Sequence, residues 1–203
     1  MALEQEMVKE LLLQALEHER GGVKLYEAAI ECAQNEDLQK EWRKYLGETQ
    51  EHVQRLEQVC ETFGLDPERQ SPGRELVAMM GDSMLRVIQQ ARDADPAQAQ
   101  IVAAEVITLA ETKDHLHWEL LGECARKLTG EEKKALVEAY DEVEDQEDEH
   151  LYHTRGWCRE LWMDGLGLKA VLPPPEERKH VKTAIGAARA EASRKSSGTR
   201  KHH

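Results

Sequence analysis

The 203-residue sequence lacks long hydrophobic runs, and only 4% of its residues are aromatic. A membrane-spanning helix needs roughly 20 consecutive apolar residues, and no segment approaches that length. The first seven residues include two glutamates, where a signal peptide would carry basic residues. We therefore expect a cytoplasmic protein that does not bind membranes.

Cysteine is also scarce, and no two cysteines are close together. Cys32, Cys60, Cys124 and Cys158 form no C-x-x-C pair, which excludes a zinc ribbon and a rubredoxin-type iron centre. In a reducing compartment such isolated cysteines are free thiols that pack as small apolar residues.

Basic residues are outnumbered, with 27 lysines and arginines against 40 acidic residues and a net charge of −13. This balance argues against binding of nucleic acid or anionic membranes by the body of the protein, and suits cations. The basic residues are concentrated at the C-terminus. Residues 173–203 contain eight lysines and arginines and three glutamates, a net +5 that leaves −18 for the preceding 172 residues. This tail is either a solvated segment or a docking segment for another protein or nucleic acid.

Proline, which breaks helices, is absent from 1–66 and 97–172. Valine and isoleucine recur there at helical rather than alternating spacing, so strands are not expected. The pattern predicts four long helices and a shorter crossover helix, near 3–33, 37–63, 97–128 and 131–163, and near 74–92. We therefore predict an all-α four-helix bundle with one long crossover over 1–172, followed by a tail, 173–203, that is partly helical or disordered.

The four long predicted helices form two consecutive pairs, 3–63 and 97–163, and the sequences of the two pairs resemble each other. The segment Tyr26-Glu-Ala-Ala-Ile-Glu-Cys-Ala33 matches Trp118-Glu-Leu-Leu-Gly-Glu-Cys-Ala125 at an offset of 92. In the second helix of each pair, Glu48-Thr-Gln-Glu-His52 matches Gln146-Glu-Asp-Glu-His150 at an offset of 98. Matched helices in matched order predict a duplicated helical hairpin with pseudo-twofold symmetry.

Each bundle helix carries polar residues at mid-height on or beside its apolar stripe. In chain order they are Glu19; Glu48, Thr49 and His52; Glu111 and Asp114; and Glu147 and His150. Several buried carboxylates repel one another, and too few lysines or arginines lie on these stripes to compensate. Two hard cations, each bound by carboxylates and one imidazole, would compensate directly, and the Glu147-x-x-His150 spacing suits such a site. A buried polar network without metal is the alternative.

These motifs over residues 3–163 resemble the ferritin-like diiron-carboxylate superfamily, closest to its rubrerythrin-like members. The run from Glu48 to Glu57 is also similar to the bacterial Yci-type stress-protein branch. The resemblance implies two irons, or a manganese–iron pair, at the bundle centre. The ligands it implies are Glu19, His52, Glu111, Glu147 and His150, with Asp114 as an extra carboxylate. Thr49 stands where the family's first E-x-x-H motif has its glutamate, and Glu48 is the candidate substitute.

The activity implied by this resemblance is that of a diiron oxidase or peroxidase of ferroxidase type, acting in oxidative-stress protection or iron handling. Its partners would be dioxygen or peroxide and an external electron donor, because the chain has no rubredoxin domain. A homodimer or small homo-oligomer is expected. The alternative is a non-catalytic helical module that acts by protein contact and has a degenerate or structural metal site.

Overall fold

Five α-helices make up the computed structural model, which describes residues 3–169 and contains no strand in that range. The helices are α1 (Gln5–Cys32), α2 (Glu36–Thr62), α3 (Pro72–Ala94), α4 (Pro96–Ala125) and α5 (Gly130–Gly165). The prediction of an all-α helical bundle is therefore confirmed. The tail predicted over 173–203 lies outside the described residues.

Three of the helices begin at side chains that cap their first turn. Asn35 accepts hydrogen bonds from two backbone amides at the start of α2, and Ser71 and Asp95 accept the corresponding bonds at α3 and α4. Pro72 and Pro96 occupy the first turns of α3 and α4, where a missing backbone N–H costs nothing. Local sequence thus determines where the crossover starts and where the second half of the bundle starts.

Glycine ends α2 by adopting a left-handed conformation. Gly64 has a φ of 57°, which an L side chain adopts only at a cost. This turn lets the Leu65 amide donate to the Cys60 carbonyl across 2.9 Å and satisfies a carbonyl that the helix leaves unpaired. The chain then leaves the bundle toward the crossover.

The four long helices form a closed ring in which α1 neighbours α2 and α4, and α5 neighbours the same two helices. The crossover helix α3 packs on α1 and α4 alone within the described structure. Among residues 3–169, one side of the bundle therefore has an additional helical layer, whereas the α2–α5 side has a single layer.

The apolar core is divided into two clusters. One contains Leu12, Leu16, Phe63 and Leu136, and the other contains residues such as Trp42. Buried polar side chains lie between the clusters along α1, α2, α4 and α5. The bundle therefore encloses a polar layer between two hydrophobic ends.

Helices α4 and α5 approach closely at Gly122. A Cβ atom at this position would lie 2.5 Å from the ring of Tyr140, which is too short for any side chain. The glycine thus permits the spacing at which residues of α4 and α5 meet in the centre. Among the described helices, none combines the length and apolar character needed to cross a membrane.

Candidate metal centre

The four bundle helices each contribute to one buried group of carboxylates and imidazoles. Its members are Glu19 from α1, His52 from α2, Glu111 and Asp114 from α4, and Glu147 and His150 from α5. All of them are at most 5% exposed. Their mid-helix positions on the inward faces bring them to the same height, between the two apolar clusters.

Glu19, His52 and Glu147 form the first triad, with one ligand atom from each within 4.8 Å of the others. His52 Nδ1 lies 3.3 Å from Glu19 Oε1 and 3.1 Å from Glu147 Oε1. Ligand atoms that share one ion with bonds of about 2 Å lie about 3 Å apart, so these separations suit a common ion.

Glu111, Glu147 and His150 form the second triad under the same criterion. His150 Nδ1 lies 3.7 Å from Glu111 Oε2 and 3.6 Å from Glu147 Oε1. Glu147 belongs to both triads, so its carboxylate lies between two adjacent cation positions. The His52 and His150 rings stack with their centroids 5.7 Å apart.

Two aromatic side chains orient Glu19 and Glu111, the terminal glutamates, each of which belongs to one triad only. Trp118 Nε1 donates a 2.7 Å hydrogen bond to Glu19 Oε1, and the Tyr26 hydroxyl donates a 2.7 Å hydrogen bond to Glu111 Oε1. In each glutamate the other oxygen, Oε2, is buried and has no hydrogen-bond partner among the described residues. Each carboxylate is therefore held by one oxygen while the second remains available to a ligand.

The outer nitrogens of the imidazoles are also held. His52 Nε2 lies 2.7 Å from Gln146 Oε1, and His150 Nε2 lies 3.0 Å from Glu48 Oε2. Donation of the Nε2 hydrogen outward leaves the inward Nδ1 with the lone pair that a metal needs. The structure thus has Glu48 on the far side of His150 and outside both triads, while Thr49 is buried beside Gly22.

Asp114 lies beside the centre and belongs to neither triad. Burial and, after it, the adjacent Glu19 carboxylate raise the pKa of Asp114 well above its ordinary value. Its Oδ1 lies 4.0 Å from Nδ1 of His117, a fully buried histidine whose pKa burial lowers to about 3. Asp114 thus extends the polar layer beyond the triads.

The negative charge of the centre is balanced by imidazoles and by no lysine or arginine of the described residues. Within residues 3–169 the ion-pair partners of Glu19, Glu111 and Glu147 are His52 and His150 alone. Burial raises the pKa of Glu111 to about 7, although His150 opposes the shift. Burial lowers the pKa of His52, but Glu19 and Glu147 outweigh that effect and raise it to about 11.

The residues present fit a pair of metal ions. Three buried oxygens of these glutamates have no hydrogen-bond partner in the described structure: Glu19 Oε2, Glu111 Oε2 and Glu147 Oε2. Within hydrogen-bond distance, Glu147 Oε1 has only the His52 imidazole of the described residues, 3.1 Å away. Buried polar atoms of this kind are costly unless something binds them. Oxygen donors with one imidazole per position are the ligands that iron and manganese prefer. The clusters can therefore hold metal, and the donor set leaves coordination positions open for a small molecule.

The repeat contains a signal for the side chains that orient these ligands. Tyr26 and Trp118 begin the two matched segments, and each donates a hydrogen bond to a glutamate of the centre. Gln146 is the equivalent of Glu48 at the offset of 98, and this match was the signal that both residues have the same task. His117 has no counterpart in the repeat that would have marked it as buried.

Comparison with known proteins gives one family. A family model described as "Domain of unknown function (DUF892)" matches residues 4–154, which include every member of both triads. No curated protein and no solved structure matches the chain.

Proposed function

The chain belongs to the DUF892 family, a family of the ferritin-like superfamily, and from this premise we propose that it is a dinuclear metal protein. Its ions, two irons or a manganese–iron pair, would react with dioxygen or peroxide. The observation that carries the proposal is the pair of buried triads that share Glu147. Within the superfamily, we propose a place near the rubrerythrin-like members and the Yci-type stress proteins.

In this proposal Glu19, His52 and Glu147 hold one ion, and Glu111, Glu147 and His150 hold the other. When bound, such a pair supplies electrons to an oxidant that occupies its open coordination positions. The cellular role would be oxidative-stress protection or iron handling, with electrons returned by an external donor. A homodimer or small homo-oligomer remains part of the proposal.

The surrounding residues have three tasks in this chemistry. Trp118 and Tyr26 fix the terminal glutamates, so that the ligand oxygens are in position before an ion arrives. The apolar clusters above and below the polar layer limit water, which strengthens the attraction between carboxylates and cations. Asp114, whose pKa burial and the adjacent Glu19 raise, adds less negative charge to the centre than an ordinary carboxyl group would.

The test is metal analysis followed by oxidation. We expect about two metal ions per chain when the protein is produced in iron-rich medium, and oxidation of added Fe(II) by dioxygen or peroxide, followed by ultraviolet absorbance. Glu147→Ala removes the shared ligand, so both metal content and oxidation should be lost. Glu138→Ala changes an exposed glutamate on the same helix and should leave both unchanged.

Two results would contradict the proposal in different ways. A wild-type chain that binds less than about one ion, with no further loss in Glu147→Ala, would overturn the metal centre. Two bound ions that neither dioxygen nor peroxide oxidises would leave the structural-metal module as the function of the bundle.

A further inference from the structure

The two metal positions differ in the charge of the group behind each imidazole. His52 Nε2 is held by the neutral amide of Gln146 across 2.7 Å, whereas His150 Nε2 is held by the Glu48 carboxylate across 3.0 Å. Glu48 and Gln146 occupy equivalent positions in the repeat, each four residues before the histidine of its own helix. Each reaches across to the histidine of the other helix. The duplicated hairpin thus keeps the contact and changes its charge.

The direct ligands of the two positions are of the same kinds. Each has one terminal glutamate that accepts a 2.7 Å hydrogen bond from an aromatic side chain, and both use Glu147. Lys44 lies 3.4 Å from the other oxygen of Glu48, but its side chain is 47% exposed, so solvent screens its charge. The negative charge of Glu48 is therefore felt mainly by His150, whose ring contacts it directly.

A carboxylate behind a metal-bound imidazole has a known physical effect. It accepts the outer N–H in a charge-assisted hydrogen bond and makes the inner nitrogen a stronger donor, whereas a neutral amide orients the ring without adding charge. Loss of such outer partners typically weakens metal binding about 10- to 100-fold. The two positions should therefore differ in affinity even though their direct ligands are alike.

We propose that Glu48 makes the Glu111–Glu147–His150 position the tighter of the two, so that it fills first, and that Gln146 leaves the Glu19–His52–Glu147 position to fill second. This inference rests on the proposed metal centre. It assigns Glu48 and Gln146 as positioning residues that set the order of metal binding.

The experiment is a calorimetric and absorbance titration of the metal-free full-length chain with Co²⁺ in two reciprocal variants. Glu48→Gln should weaken the first binding step about tenfold or more, and Gln146→Glu should tighten the second step. The double exchange should reverse the order of filling. Glu51→Gln makes the same chemical change at an exposed residue of α2 and should leave both steps unchanged.

Variants that keep only one of the two metal positions assign each binding step to its histidine. In His52→Ala, which keeps the His150 position, Glu48→Gln should weaken the remaining site, and in His150→Ala it should have no effect. Circular dichroism of each variant checks that the helices are retained, and Gln146→Glu decides the question if Glu48→Gln does not fold.

Three outcomes would overturn the inference. They are two equal binding steps in the wild-type chain, an unchanged first step in folded Glu48→Gln, and a change of order produced by Asp114→Asn but by neither reciprocal variant. A wild-type chain that binds no Co²⁺ would instead overturn the proposed metal centre.

Discussion

The hydrogen bond from Tyr26 to Glu111 offers a test of the idea that the centre is held ready for metal. Tyr26→Phe removes one hydroxyl and leaves the ring, which is only 1% exposed, in place in the core. Glu111 Oε1 then loses its 2.7 Å donor, and its Oε2 already has no hydrogen-bond partner in the described structure. The variant therefore frees a ligand carboxylate without opening a large cavity.

The magnitude follows from two effects that act in the same direction. An outer hydrogen bond that orients a metal ligand is worth about 10- to 100-fold in affinity, or about 1.4 to 2.8 kcal/mol. Burial holds the pKa of Glu111 at about 7, and the Tyr26 hydrogen bond lowers that pKa. Without the hydroxyl, the pKa should rise further, so protons should compete with metal at neutral pH. We expect the loss of affinity to be larger at pH 6 than at pH 8.

Tyr45→Phe is the matched control. Tyr45 is also buried, and its hydroxyl donates a 2.8 Å hydrogen bond to a carboxylate, but that carboxylate is Glu41, which belongs to neither triad. The assay is calorimetric titration of each metal-free variant with Mn²⁺ across this pH range. Equal losses in the two variants, or a loss in Tyr26→Phe that does not depend on pH, would refute the reasoning.

Three further predictions concern stability. The folded-state pKa values of Glu111, about 7, and His52, about 11, lie above the ordinary 4.5 and 6.5, so the folded metal-free chain binds more protons than the unfolded chain. Its Tm in calorimetry should therefore fall as the pH rises from about 5 to about 11, and Glu111→Gln should flatten the acidic part of that fall. Thr49→Glu adds a buried carboxylate, so it should lower the Tm of the metal-free chain and enlarge the increase in Tm that Mn²⁺ causes. An equal increase in Thr49→Gln would contradict the charge argument. In urea denaturation, Gly122→Ala should lower the free energy of unfolding by about 1 to 3 kcal/mol, because the new Cβ would lie 2.5 Å from the Tyr140 ring. Gly47→Ala has open space around its Cβ and should raise the free energy of unfolding by up to about 1 kcal/mol.

The helices were predictable because the sequence marks their ends with few and unambiguous residues. Pro72 and Pro96 begin α3 and α4, and Gly64 ends the second helix in a left-handed turn. Glu19 and Glu147 were recognisable as site residues because each lies at the centre of an apolar stripe, where only a buried role explains a carboxylate.

The position of Glu48 was not predictable from periodicity. Glu48 lies at the margin of its stripe, and a small rotation of α2 about its axis decides whether the side chain reaches the centre or the neighbouring helix. The structure has it on His150, and also within 3.4 Å of Lys44. Contacts of this kind depend on how two helices pack, which sequence spacing does not encode.

The crossover helix covers the α1–α4 side of the described bundle, and this bears on how ions reach the interior. On the α1–α4 side the crossover helix adds a second wall, while on the α2–α5 side Glu48 and Gln146 are each only partly buried and each touches an imidazole of the centre. On that side of the described structure, a half-buried side chain covers the outer nitrogen of each imidazole. The residues proposed to set the order of binding are thus partly accessible to solvent, so a change that alters how firmly an ion is held should also alter how quickly it arrives and leaves.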